Sequence, residues 1–306
     1  MKDFLLKIDI IFLPVFLVLI LLPVTVLNIY VKGAINKNSI LTSPFSSFAP
    51  SPYPILKKKE NPKLSASAAI VLDRDSGVVL FAKNANLRFS PASTTKIMTA
   101  LTALGHFKLT DVLTVRTADV EGSILGLSKG EKMTFEDLLY AMMLPSANDA
   151  AIAISQNYPG GEKAFVKQMN KNAEDSHLYN TSFSDPAGLL DDKDYTSAFD
   201  LARLAGIALN NKTLSLVVAT KHRVVSNIDG TIDYSIYNLN KLLGIDGVNG
   251  VKTGYTDEAG GVLATSAVLN GHEIIIVVMK SEDRFLDTEK LINLVSGNVT
   301  YLSIYP

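Results

Sequence analysis

Two apolar, β-favouring runs, Gly261–Leu269 and Glu273–Met279, are joined by Asn270-Gly271. An Asn-Gly pair between such runs is what a two-residue type I′ turn requires, because both central residues must adopt positive φ. The chain is thereby committed to an antiparallel hairpin late in its length. A matching signal stands much earlier, where Ser67–Leu72 and Val78–Phe81 flank the turn sequence Asp73-Arg74-Asp75-Ser76-Gly77. Between the two hairpins the apolar residues recur at the helical period instead. Helical patterns run from Ser93 to Leu104 and over Phe135–Met143, Asp149–Gln156, Glu162–Leu178 and Thr196–Leu209. Strand-like sequence returns after Val224, with a turn signal at Asp229-Gly230, and an amphipathic helix over Phe285–Val295 closes the body. Strands, then helices, then strands predict an α+β fold whose antiparallel sheet is built from both ends of the domain around a mainly helical insertion.

Three segments are expected. Residues 1–31 contain an uncharged apolar run, Ile10–Val31, just over the roughly 20 residues that a bilayer-spanning helix needs. Pro14 and Pro23 are tolerable in such a span. The first reading is a single-pass membrane anchor. A cleaved secretory signal and a buried core helix are the alternatives, although a signal core is only about 7–15 residues long and no small-x-small cleavage site follows here. Lys2 and Lys7 before the run are matched by Lys32 and Lys37 after it, so charge leaves the orientation open. Residues 32–64, rich in Ser, Pro, Asn and Lys, read as a tether, with Lys57–Lys59 a solvated charge run. Residues 65–306 are the folded body.

With 29 Lys+Arg against 30 Asp+Glu the net charge is -1, and the basic excess of a nucleic-acid binder is missing. No nucleic-acid partner is expected. The chain has no cysteine, which excludes disulfides, thiolate metal sites and a cysteine nucleophile. His106, His177, His222 and His272 fit no regular triad or metal spacing and read as structural. Neither a metal nor an organic cofactor is expected.

Three short motifs can carry chemistry. Ser93-Thr94-Thr95-Lys96 opens the first helical pattern. A serine there sits among unpaired backbone NH groups that can stabilise an oxyanion, and a lysine three residues on projects from the same face. Desolvated, that lysine can act as a base. The plain alternative is a helix cap followed by a surface lysine. Ser146-Ala147-Asn148 falls between two helices, where a hydroxyl and an amide suit a proton relay and a carbonyl anchor, or an ordinary cap. Lys252-Thr253-Gly254 lies in strand-like sequence. Its cation and hydroxyl can hold a carboxylate while Gly254 admits a close backbone approach; an exposed edge strand with a protective lysine is the alternative.

Together and in this order, the three motifs are those of β-lactamases and penicillin-binding proteins. The sequence resembles the serine D-alanyl-D-alanine carboxypeptidase family, the low-molecular-weight penicillin-binding proteins, from about Ser65 to Val295. The likeness extends around the motifs, through Phe89–Thr99, Leu144–Ala151, Phe183–Leu189 and Gly250–Thr256. It implies a β-lactamase/transpeptidase-like fold. It further implies that Ser93 is the acylated nucleophile, Lys96 its general base, Ser146 a proton relay and Asn148 a holder of substrate backbone and of Lys96. Lys252 and Thr253, with Arg284 and the adjoining Gly254, would bind the terminal carboxylate. The backbone NH groups of Ser93 and Tyr255 would form the oxyanion hole.

The implied substrate is a peptidoglycan stem pentapeptide ending in D-Ala-D-Ala, with β-lactam antibiotics as covalent inhibitors. Such a substrate would place the body outside the cytoplasmic membrane, anchored by the N-terminal span or secreted after signal cleavage. Many relatives carry a further β-rich domain and a C-terminal anchor, whereas this sequence ends at Pro306. The N-terminal span is expected to take the anchor's place. Neither Glu162 nor Glu174 lies in the Glu-x-x-Leu-Asn setting of class A β-lactamases, so efficient β-lactamase activity is not expected. Two rival readings remain: a D,D-endopeptidase cutting cross-links, and a non-catalytic penicillin-binding sensor.

Overall fold

A computed structural model describes residues 53–302, apart from residues 59, 118 and 191. The expected anchor over 10–31 and most of the 32–64 segment lie outside them. Tyr53–Leu56, inside the segment read as a tether, forms β1. It pairs antiparallel with β13 (Val299–Leu302). The folded body therefore begins before Ser65, and local composition could not show this because the partner strand lies near the opposite end of the chain. Pro54 is tolerated because β1 belongs to a two-stranded ribbon with a free edge.

Both expected hairpins form. β2 (Ala68–Asp73) pairs with β3 (Val79–Lys83), and β11 (Gly260–Leu269) pairs with β12 (His272–Ser281). Asn270 and Gly271 both take positive φ, 52° and 82°, as a tight I′-like turn demands. β12 also pairs with β2, and β10 (Val248–Thr256) adds to β11. The five-stranded antiparallel sheet has the order β10-β11-β12-β2-β3, so strands from the two ends of the body are neighbours at its centre.

Both faces of that sheet are covered, which explains the unbroken apolar run Ile274–Met279. Ile274, Ile276 and Val278 join Ala69, Val71 and Leu263 in a core beneath α7 (Arg284–Val295). Ile275, Val277 and Met279, with Ala68 and Ile70, turn to the opposite core. There they meet the helical insertion: α1 (Lys96–Leu104), α2 (Phe135–Met143), α3 (Asn148–Asn157), α4 (Gly161–Asp175), α5 (Ala198–Leu209) and α6 (Lys212–Ala219). Three small hairpin or ladder pairs decorate the insertion: β4 (Arg88–Phe89) with β7 (Thr196–Ser197), β5 (Val112–Thr114) with β6 (Lys132–Thr134), and β8 (His222–Ser226) with β9 (Asp233–Tyr237). The helical pattern that began at Thr196 starts as a helix only at Ala198, because Thr196–Ser197 is spent on β4 and the Ser197 side chain caps α5 through the Asp200 amide. Among the described residues no helix is long and apolar enough to cross a membrane.

α1 is buried along almost its whole length, from Lys96 to Ala103. A helix apolar on all sides belongs at the centre of a core, and a lysine at its first residue is therefore carried inside. One carboxylate clasps the two ends of the body. Asp287 of α7 is 1% exposed and accepts from the Ser65 hydroxyl at 2.6 Å, the Ala66 amide at 2.7 Å and the Ser281 hydroxyl at 2.7 Å. Removing a shared acceptor strands several buried donors at once. Asp287→Ala is expected to lower the unfolding free energy by roughly 2–4 kcal/mol; a urea midpoint unchanged from the parent would contradict the clasp.

Candidate active site

Ser93 lies in a 3-10 turn, Ala92–Thr95, that leads directly into α1. Its side chain caps nothing, so the plain helix-cap reading does not hold. One turn on, Lys96 is fully buried and its Nζ stands 3.0 Å from Ser93 Oγ, 2.7 Å from Asn148 Oδ1 and 2.8 Å from the Ala187 carbonyl oxygen. The last two atoms only accept. A neutral amine has two N–H bonds and one lone pair; the N–H bonds go to Asn148 and Ala187, which leaves the lone pair facing the Ser93 hydroxyl. Burial drives the Lys96 pKa down to about 7, while the charges of Asp185 and Asp149 push the other way. The neutral form is thus available at ordinary pH, and the geometry suits withdrawal of the Ser93 proton.

Two loops place the acceptors, and two buried aspartates tie the loops. Asp149 accepts from the backbone amides of Leu125, Gly126, Leu127 and Ala150. That fixes the segment in which the Glu121 carbonyl holds Asn148 Nδ2 at 2.6 Å, and so aims Oδ1 at Lys96. Asp185 accepts from Ala187, Gly188, Leu189 and Leu190. Its loop is pressed onto α1 by Thr99, which donates to the Pro186 carbonyl at 2.6 Å. Gly188 has φ +77°, and a Cβ there would stand 2.0 Å from the Ala92 carbonyl oxygen. Only glycine lets the loop lie against the serine turn.

Ser146 sits at the α2–α3 junction with φ +65°. It is buried, and its Oγ has no hydrogen-bond partner among the described residues. α3 carries no side-chain cap, so the capping reading fails for Ser146 and Asn148 too. Ala92, just before Ser93, also has positive φ, 45°. Strained backbone at a non-glycine residue persists where its surroundings over-determine it, most often at functional sites.

The facing wall is β10. It is an edge strand, but Lys252 is 1% exposed, not a solvated guard. Its Nζ donates to the Thr253 carbonyl at 3.0 Å and pairs with no carboxylate among the described residues. Its pKa is lowered, first by burial, then by the positive charges of Lys96 and Arg284. Thr253 is buried beside it. Arg284, half-buried at the start of α7, has an Nε without a partner among the described residues and lies over the Phe285 ring. A Cβ on Gly254 would stand 3.0 Å from the Ser93 amide nitrogen and 3.1 Å from Ala92 Cβ and the Pro91 carbonyl oxygen. The missing side chain is what brings β10 onto the Ser93 turn. Tyr255, 60% exposed, follows at the rim, where its hydroxyl donates to Asp257 Oδ1 at 3.3 Å.

The motif residues thus gather around the Ser93 turn, with the Lys96 amine on the Ser93 hydroxyl and the buried Lys252 amine on the strand that Gly254 brings against that turn. Asp149 and Asp185 fall inside the segments Leu144–Ala151 and Phe183–Leu189, where the sequence alone assigns them no role; each directly follows or precedes a small-residue loop, and that adjacency is the available signal. Among the described residues no group of three or more His, Asp or Glu is placed to hold a metal ion.

A serine hydroxyl facing the lone pair of a buried lysine amine is an arrangement suited to acyl transfer. A model of the D-alanyl-D-alanine carboxypeptidase family, peptidase S11, matches residues 56–283, and the chain belongs to that family. D-alanyl-D-alanine carboxypeptidase DacF of Bacillus subtilis is 38% identical over 245 residues, covering 76% of this chain and 62% of the relative. This chain thus spans under two thirds of that protein's length. A D-alanyl-D-alanine endopeptidase of Pseudomonas aeruginosa is 31% identical over 248 residues, covering 78% of this chain and 80% of its own. The crystal structure of the Streptomyces K15 DD-transpeptidase superposes with a TM-score of 0.72 at 32% identity, covering 77% of this chain and 98% of that one.

Because Lys96 acts only when neutral, the reactivity of Ser93 should climb as pH rises. Modification by an uncharged sulfonyl fluoride is expected to increase roughly tenfold per pH unit up to about pH 7 and then level off. An apparent pKa at the ordinary lysine value of 10.5 would contradict the assignment.

Proposed function

We propose that the chain is a serine D,D-carboxypeptidase that removes the terminal D-alanine from peptidoglycan stem peptides ending in D-Ala-D-Ala. Ser93 Oγ attacks the carbonyl carbon between the two D-alanines as neutral Lys96 takes its proton. The backbone NH groups of Ser93 and Tyr255 receive the oxyanion. Ser146 passes a proton to the departing amino group, and the C–N bond breaks to leave an ester on Ser93. Water then cleaves that ester, returning the hydroxyl. β-Lactams would enter the same cycle and stall at the ester.

The observation that carries this reading is Lys252. A buried lysine amine that pairs with no carboxylate among the described residues, with the Arg284 guanidinium adding to the positive field, suits an anion. On the strand that meets the Ser93 turn at Gly254, it suits the free α-carboxylate of a substrate cut one residue from its C-terminus. Binding of that carboxylate also restores the Lys252 charge that burial discourages. Endopeptidase action is the second reading, supported by the Pseudomonas relative's name. Membrane attachment through 10–31, with the body outside the cytoplasm, completes the proposal, and suits an enzyme whose substrate is a wall polymer.

Incubation with pentapeptide monomers and cross-linked dimers, followed by mass spectrometry, separates the readings. Loss of one D-alanine from monomers, abolished in Ser93→Ala, is the expected outcome; conversion of dimers to monomers instead would make the chain an endopeptidase. Amidating the terminal carboxyl of the monomer, or substituting Lys252→Met, is expected to lower kcat/KM by about 10²–10³-fold. An amidated peptide cleaved as fast as the free acid would overturn the carboxylate assignment.

A further inference from the structure

Asp194 has no part in the chemistry above, yet it is 2% exposed and closes the loop that holds Lys96. Its Oδ1 accepts from the Ser184 backbone amide, and its carboxyl meets the side chain of Asp185 at hydrogen-bond range. Its Oδ2 is sealed from solvent and finds no donor among the described residues. Asp185, by contrast, receives four backbone N–H groups, from Ala187, Gly188, Leu189 and Leu190. That is the environment of an anion. Two carboxyl groups in contact, one of them with an oxygen that has no donor, are both satisfied by a single shared proton.

We propose that Asp194 is a protonated carboxylic acid in the working enzyme and donates its O–H to Asp185, locking the 184–194 loop so that the Ala187 carbonyl stays on Lys96. Asp194 is then a positioning residue for the Ser93–Lys96 pair, and the idea rests on the function proposed above. Burial, then the negative charge of Asp185, raise its pKa to about 8, in keeping with the geometry. The charged groups around it do not remove the need for the proton. Asp192 shares its loop. Arg88 on β4, Glu258 in the β10–β11 turn and Lys280 on β12 line with it a cavity of about 350 Å³. Neither Arg88 nor Lys280 forms an ion pair with it among the described residues; Arg88 is turned onto the Tyr195 ring and Asn180. On the far side Asp185 acts on Glu162 of α4, whose pKa is raised by burial and by that charge, and on Lys96 itself.

The lock has a direction. Above its pKa Asp194 becomes a second anion beside Asp185, the two repel, and the Ala187 carbonyl loses its support. The added negative charge also favours protonated Lys96, the inactive form of the base. Both effects slow the reaction. Lys252 contributes an alkaline fall of its own, so the comparison must hold Lys252 constant. Asp194→Asn does so: its amide can donate to Asp185 and does not titrate.

The test uses the full chain and measures kcat/KM for D-alanine release from a D-Ala-D-Ala peptide across pH, in the parent and in Asp194→Asn. Normalised to their neutral-pH rates, the profiles are expected to diverge above about pH 8, the parent falling behind by roughly tenfold per pH unit. Profiles that superpose throughout would overturn the proposal. Should the variant fail to fold, infrared spectra of the parent carrying ¹³C-carboxyl aspartate provide an independent reading. A label-shifted protonated-carboxyl band present at neutral pH and lost through about pH 8 is expected, and its absence at neutral pH would equally overturn the proposal. The band with no Ser93-dependent turnover would uphold the proton and count against the proposed function.

Discussion

The site depends on taking one amine out of water. Lys96 stands at the first residue of a helix that is buried on every side, and its pKa falls from 10.5 to about 7. That shift corresponds to a penalty on the charged form on the order of 5 kcal/mol, several times the net worth of a single hydrogen bond. Two aspartates work against it without prevailing. Loss of water around the amine outweighs their attraction. Asp149 and Asp185 each also bind four backbone N–H groups, and the loops they tie deliver Asn148 and the Ala187 carbonyl as acceptors and leave the lone pair to Ser93.

The architecture follows from what must surround that amine. A sheet made from both ends of the body brings β10 to one edge, where Gly254 allows it to touch the Ser93 turn and where Lys252 lies buried two residues before that glycine. Burial weakens both lysines, with opposite functional consequences. In the proposed function Lys96 serves because it can be neutral, and Lys252 because an arriving carboxylate would favour its charged form. Base and carboxylate anchor would then be separate amines.

Much of this was legible in the sequence. The Asn270-Gly271 turn, the periodicity of the helices and the order of Ser93-Thr94-Thr95-Lys96, Ser146-Ala147-Asn148 and Lys252-Thr253-Gly254 all concern neighbours in the chain, where local pattern is strong. What escaped depends on distant pairing. β1 reads as tether in the sequence because its partner, β13, lies at the far end of the body. The surface readings of Lys96 and Lys252 remained open because burial of a lysine is decided by tertiary packing. Asp185 and Asp194 reveal their contact only when the loop folds back on itself. The span over 10–31 rests on sequence alone.

Direct observation of the Lys96 side chain tests the central claim most closely. Lysine labelled at ¹³Cε and ¹⁵Nζ, assigned by comparison with a Lys96→Arg variant, can be titrated by NMR in the uninhibited protein. The account predicts a resonance that loses its proton near pH 7. A Lys96 ammonium that stays charged up to the ordinary lysine value of 10.5 would contradict it, because the amine facing Ser93 would then have no lone pair to offer.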